Sequence, residues 1–205
     1  GTIVHLNSDT YIRYPRNFGL FERKVELKGE GYFSVAKELS RPFVVNLHGV
    51  DIKVAGTKFN VKAYASDTNV CVLLDEGKVY LEDPQNKHYV LLPGETAEFN
   101  RSTRVCQISR PKDTSPITAW RSNSFNFYRI SLREILKTFE RQYGAYFKIS
   151  DSTLLKDKFT FSTNKIPLND ILKDLQEVSY VRFVDCGDKK YIVQSVDQRD
   201  NSRSK

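Results

Sequence analysis

The apolar side chains of this chain change their spacing once, and that change sets what the chain can fold into. From Thr2 to about Ser109 they recur at every second position. Val50, Ile52 and Val54 alternate with Asp51, Lys53 and Ala55, and Phe59, Val61 and Ala63 alternate with Asn60, Lys62 and Tyr64. Alternation of this kind turns one side of an extended segment toward a core and the other toward water. Similar runs occupy Thr2–Leu6, Lys24–Lys28, Gly31–Ala36, Phe43–Leu47, Val70–Leu74, Lys78–Glu82, Tyr89–Leu92 and Arg104–Ile108. Turn-forming clusters such as Asn7-Ser8-Asp9, His48-Gly49, Glu76-Gly77 and Pro93-Gly94 separate them. Residues 1–110 are therefore expected to form an all-β domain, an antiparallel β-sandwich or jelly roll.

Arg110–Pro116 is polar and holds two prolines, which makes it the expected linker. Beyond it the spacing lengthens to that of a helix. Leu132, Ile135, Leu136, Phe139 and Tyr143 share one helical face, with Ser131 and Glu134 spaced as a capping box and Gly144 placed to end the helix. Leu168, Ile171, Leu172, Leu175 and Val178 mark a second helix, with Pro167 in its first turn.

The two helices belong to an internal repeat. Residues 130–137 (ISLREILK) align with residues 166–173 (IPLNDILK) at an offset of 36, with five identities in eight. Phe125 and Phe161 fall in register, as do Arg129 and Lys165. Strand-like segments flank each helix: Ser124–Tyr128 and Tyr146–Ile149 around the first, Phe159–Ser162 and Tyr180–Val184 around the second. A last strand, Lys190–Gln194, follows the Gly187-Asp188 turn. One βαβ unit cannot bury its helix face alone, so the two are expected to pack together as an α+β module over residues 118–196. Residues 197–205 read as a polar tail.

Chemistry-bearing patterns are absent. His5, His48 and His88 show no zinc-protease spacing, and no nucleophile elbow occurs. The three cysteines, Cys71, Cys106 and Cys186, form no C-x-x-C pair, so neither a zinc site nor a redox dithiol is indicated. A Cys71–Cys106 disulfide stays open. Gly29-Glu30-Gly31 is half of a phosphate-binding fingerprint, but a strand pattern follows it, so it reads as a tight turn or bulge. The expectation is a binding protein, not an enzyme, with no catalytic residue, cofactor or metal.

Net charge is +7, yet acids interleave with the bases and no basic block of five occurs. That pattern fits a solvated surface better than a nucleic-acid or membrane-binding face. No segment approaches the roughly 18 apolar residues of a membrane span. The chain begins with Gly and contains no Met, so it reads as a segment of a longer protein with any anchor upstream. Two other binding functions match part of the pattern. The β-α-β-β-α-β order, with Phe125, Phe127, Tyr128, Tyr146, Phe147, Phe159 and Phe161, matches the order of an RNA-recognition motif, but the RNP and GXXG signatures are missing. These aromatics are expected to fill the module's interior. A carbohydrate-binding β protein would need exposed coplanar aromatics in the first domain.

Residues 27–37 (LKGEGYFSVAK), 41–45 (RPFVV) and 50–61 (VDIKVAGTKFNV) resemble the periplasmic domain of FecR-family anti-sigma regulators. So do Val4–Thr10 leading to Arg13-Tyr14-Pro15, and Leu91–Glu95. The tandem βαβ module resembles the domain that follows it in Bacteroidetes regulators, which is similar to the short N-terminal signalling domain of secretins and TonB-dependent transporters. The resemblance implies the periplasmic portion of a single-pass inner-membrane protein, with its membrane helix and sigma-binding cytoplasmic segment upstream. It implies two partners: the signalling domain of a TonB-dependent transporter and an extracytoplasmic-function sigma factor. Strand addition is a natural docking mode for such a receptor, and Lys190, Tyr191, Ile192, Val193 and Gln194 are the candidate edge strand for it, the alternative being a covered interior strand.

Overall fold

A computed structural model describes residues 1–150 and 152–196, so the expected polar tail lies outside the described residues. The chain divides into two compact units, Gly1–Arg121 and Ser122–Lys205.

The first unit is built from β1 (Ile3–Leu6), β2 (Tyr11–Arg13), β3 (Arg23–Ser34), β4 (Phe43–Asn46), β5 (Asp51–Val54), β6 (Lys58–Ala63), β7 (Asn69–Glu76), β8 (Val79–Glu82), β9 (His88–Leu91), β10 (Thr96–Asn100) and β11 (Cys106–Ser109). They follow the order β11-β10-β7-β6-β3-β4-β5-β8-β9, with β1 and β2 also paired to β3. The first half of β3 pairs with β2 and β4, and its second half with β1 and β6. The strand thus joins two half-sheets around one core that includes Leu27, Phe33, Phe43, Phe59, Leu74, Leu81 and Phe99. Phe33 and Phe59 stack at its centre, 5.0 Å between ring centroids.

Two sequence runs merge in β3. Gly29 lies within the strand at φ +116°, and a Cβ there would sit 2.4 Å from Thr10 Oγ1. That oxygen accepts a hydrogen bond from the Glu30 N–H (3.0 Å). Glycine here permits a bend and a close backbone approach instead of a chain reversal.

One neighbour pair, β3–β4, is parallel, which requires a crossover through residues 35–42. The buried Arg23 holds that crossover by donating to the carbonyls of Arg41 (2.7 Å), Ala36 (3.1 Å) and Glu38 (3.3 Å). The open cysteine question is also decided. Cys71 is in register with the exposed Glu98, and Cys106 with the buried Phe99. Consecutive residues of β10 point to opposite faces, so the two thiols do as well, and both are free.

The expected linker is partly ordered. After irregular residues 110–114 come α1 (Ser115–Thr118) and a 3₁₀ turn, Ala119–Ser122. Trp120 and Arg121 in that turn belong to the first unit.

The second unit contains β12 (Ser124–Ser131), α2 (Leu132–Tyr143), β13 (Tyr146–Ile149), β14 (Lys158–Asn164), α3 (Leu168–Glu177), β15 (Val181–Asp185) and β16 (Lys190–Ser195). The Ser131 hydroxyl accepts from the Glu134 N–H (3.4 Å), and Gly144 closes α2 at φ +63°. α3 ends one residue early, leaving Val178, expected on its buried face, 66% exposed.

Each βαβ unit sends its first strand to one sheet and its second to another. β12 and β14 form a two-stranded antiparallel sheet, and β13-β16-β15 form a three-stranded one. One core draws on both sheets and both helices, among them Phe125, Phe139, Phe147, Leu172 and Val193. An RNA-recognition motif needs its four strands in a single sheet with stacking aromatics outside. Here the strands are split, and Phe125, Phe127 and Phe147 are buried.

Candidate functional site

The expected edge strand, Lys190–Gln194, is corrected by the structure: β16 is the middle of three strands. It pairs in parallel with β13 (Tyr146↔Lys190 to Ile149↔Val193) and antiparallel with β15 (Val181↔Ser195 to Asp185↔Tyr191). The repeat leaves β13 and β15 each with an open side, and the last strand fills the gap between them. Both sides of its backbone are occupied, so no row of hydrogen-bonding groups remains for another strand. Tyr191 and Val193 point into the core, while Lys190, Ile192 and Gln194 alternate with them on the other face.

The outer edges of the second unit lie elsewhere, on β12, β13, β14 and β15. On β13, Tyr146 N–H donates to Lys189 O (2.9 Å) and Ser150 N–H to Val193 O (3.0 Å), both toward β16. Alternation turns the Phe147 N–H outward, and there it donates to Glu140 Oε1 (3.2 Å). On β15, Cys186 N–H donates to Lys190 O (2.8 Å), and Val196 N–H of the partner strand's end donates to Tyr180 O (2.9 Å). The Phe183 N–H faces outward and donates to Gln176 Oε1 (2.6 Å). A helix side chain therefore occupies each of these edges.

β12 is interrupted by a bulge, with Tyr128 and Arg129 opposite the single residue Thr160 and Arg129 at φ +52°. β14 runs without interruption. Lys165 N–H donates to Asn123 O (2.8 Å) and Leu132 N–H to Asp157 O (3.1 Å), which sets the odd-numbered residues of β14 toward β12. The backbone groups of Lys158, Thr160 and Ser162 consequently face outward.

The first unit carries a buried polar network that sequence reading missed. Glu30 accepts from Asn60 Nδ2 (3.0 Å) and Asn7 Nδ2 (2.9 Å), and Asn60 Oδ1 accepts from Trp120 Nε1 (3.2 Å). Beside it the Tyr32 hydroxyl donates to Asp75 Oδ2 (2.8 Å), and the Arg121 guanidinium lies 3.6 Å from the Tyr32 ring centre. Burial, then the hydrogen bond and charge of Asp75, push the Tyr32 hydroxyl up to about 12 against the opposing Arg121. Residues 7, 30, 60 and 120 are too distant in sequence for any local pattern to group them. The network's polar atoms are engaged with one another, an arrangement that anchors the 3₁₀ turn rather than one that offers groups to a substrate.

Among the described residues no group of three or more His, Cys, Asp or Glu is placed to hold a metal ion. No described helix is long and apolar enough to cross a membrane. Of the paired rings in the first unit, Phe33–Phe59 is interior and Tyr14–Phe18 meets edge-on at 70°, so neither pair is a flat exposed platform.

Residues 1–80 match the family described as "FecR protein", and residues 124–193 match "FecR, C-terminal". The 1.65 Å crystal structure of a candidate anti-sigma factor from Parabacteroides distasonis ATCC 8503 aligns with a TM-score of 0.86 at 28% identity, covering 96% of this chain and 92% of that one. A 2.50 Å structure with the same description gives 0.85 at 28% identity, over 96% and 91%. No curated protein matches the chain.

Proposed function

This chain belongs to the FecR family, and from that premise we propose that it is the periplasmic sensory part of a transmembrane anti-sigma regulator. In this reading it binds the signalling domain of a TonB-dependent outer-membrane transporter. It thereby controls an extracytoplasmic-function sigma factor through a cytoplasmic segment, joined by one inner-membrane helix. The observation that carries the reading is the pairing of two family matches in one chain, together with its structural likeness to a candidate anti-sigma factor over 96% of its length.

The architecture suits a receptor that works by binding. The first unit is a sandwich with a closed polar network, and the second is a small sheet-helix-sheet module with strand edges on its surface. No catalytic step is assigned to either. The aromatics that a nucleic-acid reader would stack on bases are largely interior. Lys190, Ile192 and Gln194 retain a part in the proposal only as side chains on the outer face of the three-stranded sheet.

Two measurements test the reading. Deleting the gene should change transcription from promoters of an extracytoplasmic-function sigma factor of the same cell. Calorimetry with the signalling domains of the TonB-dependent transporters of the same cell should show saturable binding of one of them to this chain. A deletion strain with unaltered sigma-dependent transcription would sink the regulatory role, and binding by none of the transporter domains would remove that partner.

A further inference from the structure

Three of the four outer edges of the second unit carry a feature that discourages an added strand, and the fourth carries none. β13 spans only four residues and has its outward Phe147 N–H occupied by Glu140. β15 has its outward Phe183 N–H occupied by Gln176. β12 is bent by the bulge at Tyr128 and Arg129, a common device for ending edge pairing. β14, by contrast, spans seven residues with no proline, glycine or bulge. Among the described residues, no hydrogen-bond partner is found for the outward N–H and C=O groups of Lys158, Thr160 and Ser162.

We propose that β14 is the edge at which a partner protein adds an extended strand, apolar at the alternate positions beside Phe159 and Phe161 and acidic on the opposite face. The backbone row supplies the hydrogen bonds of a new ladder, and side chains select its occupant. Phe159 and Phe161 point toward the core but stay only half-buried, so a neighbouring strand would cover ring surface that is now wet. The other face presents Lys158, and the bulge opposite adds the exposed Arg129. Residues 157–165 contain two lysines and one aspartate. That excess of positive charge favours an acidic strand over a basic one. The inference concerns the edge itself and stands apart from whether the partner is a transporter domain.

The test uses the full chain, isotopically labelled, and a short synthetic peptide that alternates valine with glutamate. Binding should slow amide exchange at Thr160 and Ser162 by about tenfold or more, a readout that needs no variant. Ser162→Pro removes an outward N–H without touching the β12 ladder, and should weaken the peptide by about tenfold while circular dichroism stays unchanged. Ser162→Ala loses the same hydroxyl but keeps the N–H, and should bind as the parent does. The proposal is overturned by no binding, by protection appearing on β13 or β15 instead, or by equal affinity of the proline variant. Sedimentation showing that Ser162→Pro abolishes self-association would also overturn it, by making a second copy the occupant.

Discussion

Glu140 and Gln176 stand 36 residues apart, and each accepts a hydrogen bond from the backbone N–H of a phenylalanine seven residues downstream, Phe147 or Phe183. The repeat seen in the helices therefore extends to the side chains that cover the sheet edges. A second pair obeys the same offset: Asn126 and Ser162 face each other in the two-stranded sheet, joined by a 3.0 Å hydrogen bond.

Removing either edge cap leaves a strand N–H without its partner. Glu140→Ala and Gln176→Ala should each cost about 1 kcal/mol, measured by urea unfolding. Glu140→Gln keeps an acceptor oxygen and should fall close to the parent. If the alanine variants match the parent midpoint, these contacts contribute nothing to the fold.

Gly29 should be the least replaceable glycine of the first unit. Its alanine variant combines a φ of +116° with a Cβ 2.4 Å from Thr10 Oγ1. Strain and overpacking together should cost about 2–4 kcal/mol. Gly94→Ala meets no atom within 4 Å and carries only its positive φ, so about 1 kcal/mol is expected there. Thermal unfolding of both variants checks the contrast, and equal losses would contradict it.

The polar network makes Trp120, the single tryptophan of the chain, a reporter of the 3₁₀ turn. Asn60→Ala removes the acceptor of its indole N–H and one donor to the Glu30 carboxylate. The loss should be about 1–3 kcal/mol, because buried hydrogen-bonding groups lose a partner. Indole emission should shift to the red as the turn loosens. Unchanged emission together with unchanged stability would show that the turn is held by other contacts.

Alkaline pH should destabilise the protein in a defined window. Burial, then Asp75, raises the Tyr32 hydroxyl from 10.0 to about 12. Burial, then the Glu98 charge, raises the Cys71 thiol from 9.0 to about 12. In both cases the folded state holds its proton longer than the unfolded chain. Their contribution is thus fully present below about pH 9 and is lost progressively as pH rises toward 12. A Tyr32→Phe, Cys71→Ala double variant should show a shallower decline of the urea midpoint between pH 9 and 11. Parallel declines would assign the effect to other groups.

Several elements were legible in the residues because the forces behind them act over a few positions. Helical spacing in Leu132–Tyr143, the Ser131 cap, the Gly144 terminator and the alternation of Lys158–Asn164 are all local. Helix α3 was legible for the same reason, apart from its last turn at Val178. The 36-residue repeat, carried past Lys137, would also have paired Glu140 with Gln176 and Phe147 with Phe183.

What the sequence determined by itself was the inventory: a strand-rich half, two amphipathic helices, a repeat, and the motifs that mark the family. Only the tertiary structure decided the neighbours. Alternation tells each strand which face to bury, but backbone hydrogen bonds are the same for every residue, so nothing local names the strand beside it. For that reason β3 runs through Gly29 as one strand, Trp120 lies over Asn60, and Lys190–Gln194 closes the middle of a sheet instead of its edge.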